Sequence, residues 1–126
     1  MRETVRTDRA PAAVGPYSQA VRARGTVWVS GQIPLDPATG AIVPGDVETE
    51  ARQALRNVGA ILEAAGSGLD RVVKTTVYLT DLDDFERVNR VYAELVPSPP
   101  PARVCVEVSR LPRGARVEID AVALVD

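Results

Sequence analysis

The chain has 126 residues, 45% hydrophobic and 25% charged, with 15 Lys and Arg against 17 Asp and Glu for a net charge of −2. That length supports one domain around one core, spanning 1–126, and the acidic balance argues against nucleic-acid binding through a basic face. With no histidine and one cysteine, Ser–His–Asp catalysis and intrachain disulfides are excluded, and zinc-type metal sites are disfavoured.

The first residues, Met1 to Arg6, lack the apolar centre of a secretion signal. No apolar run approaches membrane-spanning length, so the expectation is a cytoplasmic protein with no membrane partner. Residues 1–16 mix charge with Pro11, Gly15 and Pro16, and read as an extended N-terminal arm. Two short strands are predicted near 18–23 and 26–33, with Val27 and Val29 on one face and Trp28 on the other. Pro34 to Gly45 reads as a loop.

The spacing then predicts a helix from Asp46 to Ala65. Asp46 can cap it, Glu48 and Glu50 suit the positive end of its dipole, and Gly66 suits its stop. Val47, Ala51, Leu55, Val58 and Leu62 recur along one stripe. Arg71 to Thr80 alternates like a strand, with Val73, Thr75, Val77 and Leu79 sharing a face. A second helix is predicted over Asp83 to Val96, carrying Phe85, Val88, Val91, Tyr92 and Leu95 on one side and stopped by Pro97.

Two further strands, 103–108 and 117–122, are expected to pair as a hairpin across the turn at Leu111 to Gly114. Parity would then place Val104, Val106 and Val108 with Val117, Ile119 and Ala121 beneath the helices. Arg103, Cys105 and Glu107 would share the opposite face with Glu118 and Asp120. The whole reads as an α+β fold, one mixed sheet with two helices on one face. Trp28, Tyr78, Val122 and Leu124 would project from the uncovered face, which a homo-oligomer would bury.

Without histidine, acid–base chemistry falls to carboxylates. Arg103 is the candidate anion clamp, since a guanidinium stays charged and its planar fork matches a carboxylate. Glu118 is the candidate base for a water, with Asp120 and Glu107 behind it. Cys105 has no histidine to activate it and reads as a structural residue lining the site. Gly15-Pro16-Tyr17-Ser18 and Ser30-Gly31-Gln32 could supply backbone N–H groups and an aromatic wall.

Five segments, in order and spacing, carry a resemblance: Gly15-Pro16-Tyr17-Ser18-Gln19-Ala20, Val29 to Pro34, Val73 to Leu79, Pro101 to Val108, and Val117-Glu118-Ile119-Asp120-Ala121. Together they resemble the reactive intermediate deaminase (RidA) family. The resemblance implies a chorismate-mutase-like fold assembled as a homotrimer, with sites in the clefts between subunits. It implies hydrolysis of 2-imino acids, or their enamine tautomers, to 2-oxo acids and ammonia, with no cofactor and no metal. On that resemblance Arg103 grips the substrate carboxylate and Glu118 activates the attacking water. Tyr17, Ser30, Gly31, Asn89 and Cys105 would contact the substrate, through the backbone at Gly31 and Cys105.

One stretch departs from the family pattern. Leu95-Val96 and Pro97-Ser98-Pro99-Pro100 stand where members carry aromatic residues, in a shorter loop beside the clamp. Two other readings follow from the same residues. One is a non-catalytic module that binds 2-oxo acids through Arg103. The other is a ribonuclease or translation inhibitor, which the acidic charge and missing histidine disfavour.

Overall fold

A computed structural model describes residues 1–126. Its first long helix, α1 (Val47–Ala64), begins where the Asp46 carboxylate accepts from Thr49 N–H at 2.9 Å. That bond satisfies one of the free donors at the helix start. Gly66 beyond its end has a φ of +88, a conformation that costs glycine little. The predicted stripe is the buried one: Leu55, Ile61 and Leu62 are fully buried, each stabilising the fold by about 1.5–3 kcal/mol. The second helix, α2 (Phe85–Leu95), follows a 3-10 turn at Leu82–Asp84 and buries Val88, Val91 and Tyr92.

Six strands form one sheet: β1 (Arg2–Val5), β2 (Ala20–Ala23), β3 (Thr26–Gln32), β4 (Val72–Leu79), β5 (Ala102–Glu107) and β6 (Val117–Leu124). Their spatial order is β1-β2-β3-β6-β4-β5, with β4 and β5 parallel and every other pair antiparallel. Both helices cover one face, where Val27, Val77, Val117 and Ile119 meet the helical stripes in a single core. No helix is long and apolar enough to cross a membrane.

Four expectations need correction or completion. The N-terminal arm opens with a strand, because Arg2 to Val5 pairs with Ala23 to Ala20 along the sheet edge. Val73 is 43% exposed, since the β4–β6 register shifts between Val72 and Lys74 and turns Val72 toward the core instead. Glu50 does stand in the first turn of α1, but the helix dipole is not its whole setting: it is buried, and its carboxylate accepts from both Arg116 N–H and Nε–H.

The fourth correction matters most. β5 and β6 do not form a hairpin, because β4 lies between them. On β4, Thr75 is flanked by Arg103 and Ala121, whereas Tyr78 is flanked by Val106 and Glu118. Residues in register share a face. Thr75 is buried under α2, so Arg103 and Cys105 lie on the helix-covered face and Glu118 and Asp120 on the open one. Val104 and Val106 join Trp28 and Leu124 as exposed apolar residues of that open face.

Candidate functional site

Arg103 stands on the edge strand β5, beneath α2. Its Nη1 donates to Asn89 Oδ1 at 2.7 Å, and its guanidinium carbon lies 4.9 Å from the Tyr92 ring centre and 5.4 Å from that of Phe85. Ring faces attract a cation and leave its edge free for a planar anion. Tyr92 is fixed in turn by a 2.7 Å hydrogen bond between its hydroxyl and that of buried Thr75. Arg103 enters none of the chain's ion pairs. The guanidinium is thus held by one hydrogen bond and two ring faces, with no carboxylate of the chain on it.

Glu118 sits elsewhere, in an open cleft of about 450 Å³ that Tyr17, Ser30, Gly31 and Ile33 also line. The cleft exists because the β3–β6 register slips between Val29 and Gln32, which pushes Ser30 and Gly31 out of the regular ladder. A Cβ at residue 31 would overlap the Glu118 carboxylate, so only glycine lets that side chain lie across the bulge. Ser30 Oγ donates to Ser18 O at 2.6 Å, which ties the bulge to the N-terminal arm. Burial holds the Glu118 carboxyl above its ordinary range, and the nearby Asp120 charge adds to the rise. Glu118 also enters no ion pair.

The remaining candidates have settled surroundings. Asp120 accepts from Thr76 N–H at 3.1 Å and Tyr78 O–H at 3.3 Å. Glu107 accepts from Leu82 N–H at 2.9 Å, at the turn that leads into α2. Both carboxylates are engaged locally. Cys105 packs against the core on the Arg103 face, and burial pushes its thiol pKa up against the pull of Arg103. A protonated thiol is a poor nucleophile.

The structure thus brings Arg103, Asn89 and Cys105 together on one side, and Tyr17, Ser30, Gly31 and Glu118 on the other. It does not bring the two groups together. The edge strand β5 carries the guanidinium on the covered face, and the open face carries the Glu118 carboxylate beside a bare backbone.

The family profile described as Endoribonuclease L-PSP matches residues 7–125. The chain belongs to this family, which is the RidA family. Among its RidA-family relatives, a 2-iminobutanoate/2-iminopropanoate deaminase of Mus musculus is 52% identical over 124 residues, covering 98% of this chain and 92% of that one. A RutC family protein of Pyrococcus horikoshii is 53% identical over 123 residues, covering 98% of each. In structure, TdcF of E. coli, solved with bound serine, has a TM-score of 0.94 at 44% identity, covering 98% of this chain and 99% of that one. A Thermotoga maritima protein reaches a TM-score of 0.97 at 48% identity, covering 100% of this chain and 99% of that one. The α+β sheet with two helices on one face is therefore a RidA-type fold.

Sequence reasoning assigned Phe85 and Tyr92 to the core, whereas both also face the guanidinium. A signal existed. Phe85, Asn89 and Tyr92 stand at i, i+4 and i+7, so a polar residue interrupts an aromatic stripe on one helix face. Gln19, which stood in the Gly15–Ala20 segment without a role, also lines the Glu118 cleft.

Proposed function

We propose that the chain hydrolyses 2-imino acids, or their enamine tautomers, to 2-oxo acids and ammonia at a site shared between two copies in a homotrimer. The observation that carries this reading is the separation of two unpaired groups. Arg103 on the covered face and Glu118 on the open face cannot meet one small substrate within a single chain. Packing the edge strand of one copy against the open face of the next would bring them together. It would also bury exposed Trp28, Val104, Val106 and Leu124. The deaminase names of relatives at about half identity support the same reaction.

The chemistry follows from the residues. Arg103 holds the substrate carboxylate with its free guanidinium edge, and Asn89, Tyr92 and Phe85 fix that edge in place. The imine carbon then lies against the cleft of the neighbouring copy. Glu118 takes a proton from a water as its oxygen bonds to that carbon, and the imine nitrogen, protonated, accepts the electron pair of the C=N bond. Collapse of the resulting amino alcohol breaks the C–N bond. Glu118 returns its proton to the amino nitrogen; as ammonia leaves with the C–N electron pair, the hydroxyl oxygen forms the C=O bond and its proton passes back to Glu118, leaving the 2-oxo acid. A carboxyl with a raised pKa suits these transfers near neutral pH. The backbone at Gly31 and Cys105 lies where it can hold the substrate's polar atoms, and Tyr17 walls the cleft.

The test is ammonia release from 2-iminobutanoate or 2-iminopropanoate generated in the assay. Wild type is expected to accelerate it, and Arg103→Ala to abolish it, losing about 2–5 kcal/mol of carboxylate recognition, with its circular dichroism unchanged. Mixed oligomers of Arg103→Ala and Glu118→Gln chains should regain activity, because some shared sites receive both intact halves. Tight 2-oxobutanoate binding without turnover would replace hydrolysis by a sensing role.

A further inference from the structure

The arm between β1 and β2 is neither helix nor strand, yet Tyr17 on it walls the Glu118 cleft. Gln19, at the entrance to β2, is 4% exposed. Its Oε1 accepts from Thr7 N–H at 2.7 Å, while its Nε2 is shared among the carbonyls of Thr7, Ala10 and Pro11 at 3.1, 3.3 and 2.8 Å. Its own carbonyl accepts from Ser30 N–H at 2.9 Å. One residue thus pins the start of the arm through its side chain and the Ser30–Gly31 bulge through its backbone. A primary amide both donates and accepts without charge, which matches a buried junction where a donor and three acceptors converge.

We infer that Gln19 is a positioning residue of the water-side half of the site: it sets Tyr17 and the Ser30–Gly31 backbone against Glu118, and acts on turnover and not on carboxylate binding. The inference rests on the hydrolytic reading above. Arg103 and its braces belong to α2 and β5 on the other sheet face, so loosening the arm leaves the clamp intact. What changes is the placement of the water and base, and a displacement of about 1 Å there costs about 100-fold in rate.

The variant Gln19→Met keeps the side-chain length and removes every side-chain hydrogen bond. Expected are a kcat about 100-fold lower, an affinity for 2-oxobutanoate that falls far less than turnover, and faster amide exchange at Thr7 and Ser30. Mixed oligomers with Arg103→Ala chains should recover turnover, since a shared site can take Gln19 from one copy and Arg103 from the other. If Gln19→Met fails to fold, Gln19→Asn, which keeps a neutral amide but withdraws it by one methylene, carries the same test. Turnover equal to wild type with a loosened arm overturns the inference. So does a loss of 2-oxobutanoate binding that matches the loss of turnover, which marks a general structural role. A wild type that does not hydrolyse imines overturns the underlying reading and this inference together, whereas an active wild type with an equally active variant overturns this inference alone.

Discussion

The two halves of the site are built from different materials. The Arg103 half stands on regular elements: a strand, a helix face, two aromatic rings and one 2.7 Å hydrogen bond to Asn89. The Glu118 half stands on irregular ones, a bulge in β3, an arm without helix or strand, and a glycine whose missing Cβ makes the room. In the proposed reaction the clamp would hold an anion present throughout, so stiffness would serve it. The base would have to accept and return a proton, and partial burial in the cleft, with the nearby Asp120 charge, raises the Glu118 pKa.

On the Glu118 side, the largest effect should come from Glu118→Gln. Removing the base lowers kcat by about 10²–10⁴-fold, while 2-oxobutanoate binding at the clamp persists. Its stability effect has the opposite sense. Burial raises the folded-state pKa of Glu118 above its unfolded value. The stability from its protonated form is therefore present below the unfolded pKa and lost as pH rises through the folded one. At neutral pH the Gln variant should melt no lower than wild type, and its melting temperature should depend less on pH in the acid range. In wild type the acid limb of the rate profile should fall above the ordinary glutamate value of about 4.3.

Next in size is Arg116→Ala, two residues before Glu118, which removes the guanidinium from buried Glu50 and leaves it only the backbone N–H of residue 116. Removing one partner of a buried ion pair costs about 3–5 kcal/mol, to be measured by urea denaturation. Gly31→Ala separates the halves more sharply. Gly31 has no left-handed backbone requirement, so the new methyl group strains only the Glu118 carboxylate, the end of a side chain that can swing away. Turnover should fall with little loss of stability, and Gly31→Ala should add nothing to Glu118→Gln in a double-mutant cycle.

The smallest effect belongs to the clamp's support. Tyr92→Phe keeps the ring beside Arg103 and deletes the hydroxyl that pairs with Thr75. It should destabilise the chain by about 1–3 kcal/mol through the unpaired Thr75 hydroxyl and leave 2-oxo acid affinity nearly unchanged. If affinity instead fell as far as in Arg103→Ala, the clamp would depend on the tyrosine's hydrogen bond and the contrast in rigidity between the halves would fail.

Local signals in the sequence determined a good deal. Asp46 and Gly66 bound α1 because capping and left-handed stops act within a turn or two of chain. The α1 stripe and the Thr75–Val77–Leu79 face of β4 were legible because helical and strand periods are local. The chemical identities of Arg103 and Glu118 needed only composition and motif. Tertiary structure decided which strand neighbours which, and with that the face on which each group lies. Alternation along β5 defines two faces without saying which one the helices cover, and exchanging β6 for β4 as its partner turned Arg103 inward and Val104 outward. Hydrophobic parity misjudged this strand because α2 covers it with Asn89 and two aromatic rings, surroundings that suit a guanidinium better than a valine. A cation and a carboxylate that a hairpin would have set on one face are therefore held on opposite faces of one sheet.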